Sequence, residues 1–149
     1  MTKSNSVFKR GDIVFASLGN YPGSSRQSGE RPCLVVSNNR NNIVAPIITV
    51  CPITTKIRRN PFHINITKDN VQGYFPKESE IMVEQLTVID KRDVISKYGY
   101  VKDSDLMAEV DMLIHRHLGL DFSGWVEQNV GASAEEQDDI GTKADGEGA

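Results

Sequence analysis

Six short stretches rich in β-branched and aliphatic residues precede the one stretch with helical periodicity. They are Ile13–Leu18, Cys33–Val36, Ile43–Ile53, Phe62–Ile66, Glu80–Thr87 and Lys97–Val101, each flanked by Gly, Pro, Asn, Asp or Ser. Parallel strands need crossovers of a dozen or more residues, usually helical, and no helical pattern lies between the early stretches. A parallel βαβ architecture is therefore excluded. The pattern predicts a mainly β (α+β) fold: a small antiparallel β-barrel with short helices and one C-terminal helix. Ile43–Ile53 reads as a strand bent or bulged at Pro46 and Pro52, and Lys91-Arg92-Asp93 as a turn of helix. For the C-terminal helix, Asp103 or Ser104 supplies the N-cap. Leu106, Val110, Leu113, Ile114, His117 and Leu118 recur at helical spacing, and Gly119 is placed to end it in the left-handed region.

At 149 residues and 38% hydrophobic content, the chain suits one domain with a modest core and is too apolar for wholesale disorder. Its longest apolar run is broken by Pro46, Thr49 and Pro52, well short of the ~20 residues a spanning helix needs. No apolar leader follows the opening residues, and there are two cysteines. These features predict a soluble, cytoplasmic protein with no membrane association.

The net charge of −3 conceals an asymmetry. Residues 121–149 hold eight acidic side chains against Lys143 alone, a net −7, which leaves +4 on the first 120 residues. Residues 1–7 are expected to be flexible. Residues 121–149 form an acidic tail, disordered from residue 129 because Gly, Ala, Ser, Asp and Glu bury too little apolar area to offset chain entropy. Phe122, Trp125 and Val126 are the residues able to dock back on the body. A cationic body can hold a polyanion, although +4 is also ordinary for a solvated surface.

Conventional catalytic signatures are missing: no G-x-S-x-G, no phosphate-binding glycine loop and no C-x-x-C. His115 and His117 are two apart on a helix and point to different faces. His63 stands alone in a strand and reads as a surface or packed histidine. No metal site or cofactor is predicted. Cys33 and Cys51, in apolar strands, read as buried, inert thiols. Polar residues instead gather at strand ends. The long loop of residues 19–30 runs into Gly29-Glu30-Arg31-Pro32, Ile53-Thr54-Thr55-Lys56 is followed by Arg58-Arg59, and Glu84-Gln85 ends another strand. If those ends converge, guanidinium, hydroxyl, ammonium and carboxylate meet in one groove, a set suited to phosphodiester chemistry.

The ordered motifs Lys9-Arg10-Gly11-Asp12-Ile13-Val14, Gly23-Ser24 with Gln27, Gly29-Glu30-Arg31-Pro32-Cys33-Leu34-Val35-Val36-Ser37-Asn38, Pro52-Ile53-Thr54, Val83-Glu84-Gln85-Leu86, Ile89-Asp90-Lys91 and Leu118-Gly119-Leu120 resemble the PemK/MazF family of toxin endoribonucleases. The resemblance spans residues 8–120. It implies an SH3-like barrel that homodimerises and cuts single-stranded mRNA without metal, and that is held in check by a small acidic antitoxin, with operator DNA bound through the toxin–antitoxin complex. By the same resemblance Arg31 and Thr54 form the catalytic pair, Arg31 suited to stabilising charge and to donating a proton to the leaving oxygen while Thr54 orients a phosphate oxygen. Arg31 makes a poor base because a guanidinium stays protonated, so Glu84 is the general-base candidate. Ser24, Gln27, Gly29, Thr55, Lys56, Arg58 and Gln85 are the expected RNA contacts.

The chain departs from the family pattern in a loop one residue longer between Gly23 and Arg31. It also has Met82 and Thr87 where relatives carry arginines, and an acidic tail beyond the usual family end. Phe122-Ser123-Gly124-Trp125 and the acids behind it are candidates to shade the groove in cis, set against a plain solubilising tail. Two other readings share the barrel: a non-enzymatic gyrase poison, to which Trp125 is relevant, and an inactive DNA-binding regulator. Arg31 and Thr54 in their motifs favour the nuclease.

Overall fold

A computed structural model describes residues 7–129. The chain runs β1 (Asp12–Ser17), β2 (Glu30–Val35), α1 (Asn39–Val44), β3 (Ile47–Thr54), β4 (His63–Ile66), β5 (Val71–Gly73), β6 (Ser79–Met82), β7 (Thr87–Asp90), β8 (Val94–Val101), α2 (Ser104–His117) and α3 (Ser123–Asn129). Single 3-10 turns at Lys68–Asn70, Val83–Gln85 and Lys91–Asp93 join the later strands. The sheet order is β4-β6-β3-β2-β1-β8-β5, with β7 also on β3. Among the described residues every strand pair is antiparallel. The result is a curled antiparallel half-barrel with short helices and one longer C-terminal helix, in agreement with the mainly β expectation.

The first three strands are buried on both faces. Ile13, Leu34, Cys51 and Ile53 point into one core, which α2 closes with Leu106 and Val110. Val14, Cys33, Val35, Ile48 and Val50 point into a second core with Phe8, Leu18, Ile89 and Val94. This is why these strands read as continuous apolar runs. In β4, by contrast, Ile64 and Ile66 are buried while Asn65 is exposed, the alternation of a strand with one wet face. Cys33 and Cys51 are both buried and free, and burial pushes each thiol up to about 12. At neutral pH both stay protonated and unreactive, as expected of core thiols.

Three strand expectations need correction. The first part of Ile43–Ile53 is helical: Asn38 caps α1 by accepting from the Asn41 N–H at 2.8 Å, so Ile43 and Val44 belong to α1 and β3 begins after Pro46. The second concerns Glu80–Thr87, which is two strands separated by the Val83–Gln85 turn. β6 pairs with Ile53 and Thr54 of β3, and β7 pairs with Ile47 to Val50. Thr49 turns its N–H and C=O toward Ser37 and Val36 at the end of β2. Strand alternation then aims the nitrogen of Pro52 at the opposite edge, where it has no hydrogen to donate, and the ladder is interrupted there. Third, β8 begins at Val94 rather than Lys97, and it gains the unanticipated partner β5.

α2 follows its pattern. Asp103 accepts from the Asp105 and Leu106 N–H groups at 3.0 and 3.2 Å, and Gly119, with φ +64°, ends the helix. Beyond it, Phe122 packs on the His115 ring at 5.5 Å and Trp125 stays half exposed on α3. The expectations for residues 1–6 and 130–149 lie outside the described residues. Among the described residues, no helix is long and apolar enough to cross a membrane.

β5 and β8 approach so closely at Gly73 and Gly99 that a Cβ on Gly99 would lie 2.1 Å from the Gln72 carbonyl oxygen. Gly99→Ala should therefore cost about 1–3 kcal/mol or more by overpacking. Urea unfolding of the two proteins measures the difference.

Candidate functional site

Strand ends from across the half-barrel meet at one cleft. Its cavity of about 240 Å³ is lined by Ser25, Gln27, Arg31, Thr54, Lys56, Arg58, Asn60, His63, Met82, Glu84 and Gln85. β2 presents Arg31 just past the long loop, and Thr54 is the last residue of β3. The chain after β3 brings Lys56 and Arg58, and the 3-10 turn created by the break between β6 and β7 brings Glu84 and Gln85.

Local hydrogen bonds hold these pieces together. Arg31 Nε donates to the Ser28 carbonyl at 3.3 Å, and Thr54 Oγ1 accepts from the Lys56 N–H at 3.1 Å. Gln85 ties the long loop to the 3-10 turn: its Oε1 accepts from the Gln27 N–H and its Nε2 donates to the Ser25 carbonyl, both at 3.2 Å. Inside that loop the Arg26 guanidinium lies 3.8 Å above the Tyr21 ring. A second cavity of about 210 Å³ shares Gln27, Glu84 and Gln85 with the first and extends to Tyr21 and Arg26.

Of the residues singled out from sequence, Arg31, Thr54, Glu84, Gln27, Lys56, Arg58 and Gln85 line the first cleft. Ser24, Gly29 and Thr55 do not. Ser24 is exposed and its Oγ accepts from the Arg26 N–H. Gly29, with φ +76°, closes the base of the loop through its N–H to the Gly19 carbonyl at 2.8 Å. Thr55 is exposed just after β3.

Of the remaining lining residues, Ser25, Asn60, His63 and Met82 were not among the expected site residues, nor was Glu80 behind them. His63, read as an isolated histidine, is 4% exposed at its side chain and lies between two carboxylates. Its Nδ1 is 2.8 Å from Glu80 Oε1 and its Nε2 is 2.9 Å from Glu84 Oε2. Glu80 is itself buried and accepts backbone N–H groups from Arg58 at 3.2 Å and Arg59 at 2.9 Å, which fastens a segment where Arg59 sits at φ +55°. The alternation of β4 marked residue 63 as sharing the wet face with Asn65, but nothing in sequence brought β6 across it. His63 pairs with Met82 and Asn65 with Glu80, which sets Glu80 diagonal to His63. The two ring nitrogens point to separate carboxylates with no common centre. Among the described residues no His, Cys, Asp and Glu cluster is arranged to hold a metal ion.

A family model of PemK-like, MazF-like toxins of type II toxin–antitoxin systems matches residues 9–118. The chain belongs to this family. Endoribonuclease EndoA of Bacillus subtilis (strain 168) is 33% identical over 114 residues, covering 76% of this chain and 97% of that relative. Among solved structures, MazF of Deinococcus radiodurans superposes with a TM-score of 0.65 at 23% identity, over 77% of this chain and 99% of that one. A mycobacterial endoribonuclease in complex with its cognate antitoxin gives a TM-score of 0.59 at 19% identity, over 78% of this chain and 97% of that one. At these identities the two structures speak for the fold.

Burial pushes the Glu80 carboxyl up, but the bonds from His63 and from the Arg59 and Arg58 N–H groups outweigh it and hold the group below its usual value of 4.5. A carboxylate depressed in the folded state stabilises the fold above its unfolded pKa, and that contribution is lost as pH falls through the lower folded value. Acid titration of thermal stability should therefore show a decline below about pH 4.5 that is shallower in Glu80→Gln.

Proposed function

We propose that the cleft is the active site of this endoribonuclease, and that it cuts single-stranded mRNA by in-line attack of a ribose 2′-hydroxyl on the adjacent phosphate. The observation that carries the reading is the convergence of Arg31, Thr54, Lys56, Arg58 and Glu84 on one polar cleft, from segments far apart in sequence. Glu84 accepts the 2′-hydroxyl proton as the 2′-O–P bond forms. Arg31 neutralises the pentacoordinate phosphorane, where fixed donors act most strongly, and the Thr54 hydroxyl orients a phosphate oxygen. The P–O5′ bond breaks beside Arg31 and the departing oxygen takes a proton from water. The products are a 2′,3′-cyclic phosphate and a 5′-hydroxyl, and no step calls for a metal ion.

Lys56 and Arg58 track the flanking phosphates, while Gln27 and Gln85 offer amide groups to base edges and so account for cleavage at preferred sequences. Ser24, Gly29 and Thr55 act at the margin, through the shape of the loop and the rim. Such an enzyme halts translation and growth until a small acidic antitoxin occupies the cationic groove, and the two together bind operator DNA. A cytoplasmic setting suits both the substrate and the two free thiols. We assign a homodimer as the working unit, supported by Ile43, Val44, Ile47 and Val88, exposed on α1 and on paired strands β3 and β7.

In EDTA, the protein should cut a long single-stranded RNA at discrete positions bearing cyclic phosphate ends and leave the matching DNA intact. Arg31→Ala and Thr54→Ala should each slow cleavage by about 10²–10³-fold while remaining folded. Intact RNA with wild-type protein, or equal cutting by the variants, overturns the assignment. Lys56→Ala should lower the slope of log affinity against log salt by about 0.7, one single-strand phosphate contact, measured on a 2′-deoxy analogue that resists cleavage.

A further inference from the structure

We propose that His63 is a positioning residue: it holds Glu84 in its cleft orientation through a proton shared along Glu80, His63 and Glu84. The proposal rests on the cleft being the site of RNA cleavage. His63 Nε2 is the one hydrogen-bond partner of the Glu84 carboxylate among the described residues. The other carboxylate oxygen, Oε1, is buried and has none. Burying an unpaired carboxylate oxygen is costly, so without His63 the side chain would have every reason to leave this position.

Counting protons shows what the arrangement needs. A neutral imidazole carries one N–H and one bare nitrogen, yet both ring nitrogens of His63 face carboxylate oxygens, at 2.8 and 2.9 Å. A bare nitrogen opposite an ionised oxygen would set two lone pairs against each other. Under this proposal the triad holds one proton more than a neutral ring between two carboxylates. Glu80 already accepts from Arg58 and Arg59, which makes it an acceptor toward Nδ1–H as well. The additional proton thus lies between Nε2 and Glu84 Oε2, on the side that lines the cleft. It is a proton whose loss at rising pH releases Glu84.

The charged groups around the triad come from several elements. Arg31 of β2 and Lys56 and Arg58 of the segment after β3 line the same cleft. From α2, which packs against the 3-10 turn, His117 approaches the Phe62 ring edge-on at 6.0 Å. The three cations line the cleft that Glu84 faces, so the contact from His63 sets where its carboxylate points.

The test combines single-turnover cleavage of a long single-stranded RNA across pH with side-chain ¹⁵N and ¹³C NMR of the free protein, for wild type, His63→Gln and Glu80→Gln. In wild type the rate should fall on the alkaline side over the interval in which the His63 Nε2 and Glu84 carboxyl signals change together. His63→Gln should lower kcat about 10- to 100-fold, leave KM within a few fold and remove that alkaline limb. In Glu80→Gln the oxygen that accepts from the Arg58 N–H still faces Nδ1, but the negative charge there is lost, so the ring gives up its second proton more readily. The limb should then move down by a pH unit or more.

A His63→Gln protein with wild-type kcat and pH profile overturns the proposal, and so do His63 and Glu84 signals that titrate independently. If His63→Gln fails to fold, the Glu80→Gln profile and the NMR decide the matter. If wild type cuts no RNA, the reading of the cleft fails by itself. Joint titration then keeps the shared proton and independent titration removes it.

Discussion

β3 is the strand on which the molecule depends. It is buried on both faces, with Cys51 and Ile53 in one core and Ile48 and Val50 in the other, and its outer edge is shared by two strands instead of one. Pro52 cannot donate a ladder hydrogen bond at that edge, so β6 stops at Met82 and β7 starts at Thr87. The chain bridges the gap with the Val83–Gln85 turn. That detour puts Glu84 and Gln85 beside Thr54 and Arg31, whereas an unbroken strand would have kept them in the ladder.

Charge in the cleft is organised in two layers. Arg31, Lys56 and Arg58 line its surface, cations suited to a polyanion. Beneath them lie the buried side chains of Glu80 and His63, which reach up to the part-exposed Glu84. Glu80 serves both layers: its carboxylate accepts from His63 and from the backbone of the segment that carries Arg58. The cations of the cleft and Glu84 are thereby referenced to the same β6 side chain. Membership of the PemK-like, MazF-like toxin family gives this arrangement its context, and under the proposed function an RNA strand crosses the cationic lip and meets the carboxylate below.

Much of the fold could be read ahead of the structure because its signals are local. Gly119 just past a periodic run and Asp103 just before it bound α2, and both act within a few residues. The clean alternation at His63–Ile66 reflects one wet face. Elsewhere local signals misled: Ile43 and Val44 extend an apolar run by composition, yet the Asn38 side chain caps a helix that takes them out of it. β5 has three residues, and its role is visible only against β8, where two glycines let the backbones meet.

The candidate site divides along the same line. Sequence by itself determined the mainly β class, the α2 boundaries and the residue types of the cleft, since Arg31, Thr54 and Glu84 each sit in a motif that spans a few positions. Only the tertiary structure decided that Ser24, Gly29 and Thr55 stay outside the lining, that β6 crosses β4 to set Glu80 against His63, and that the ring then bridges to Glu84. Hydrogen bonds between residues 17 and 21 positions apart depend on strand register, and register comes from the packing of two cores around β3. No local pattern in the chain encodes it.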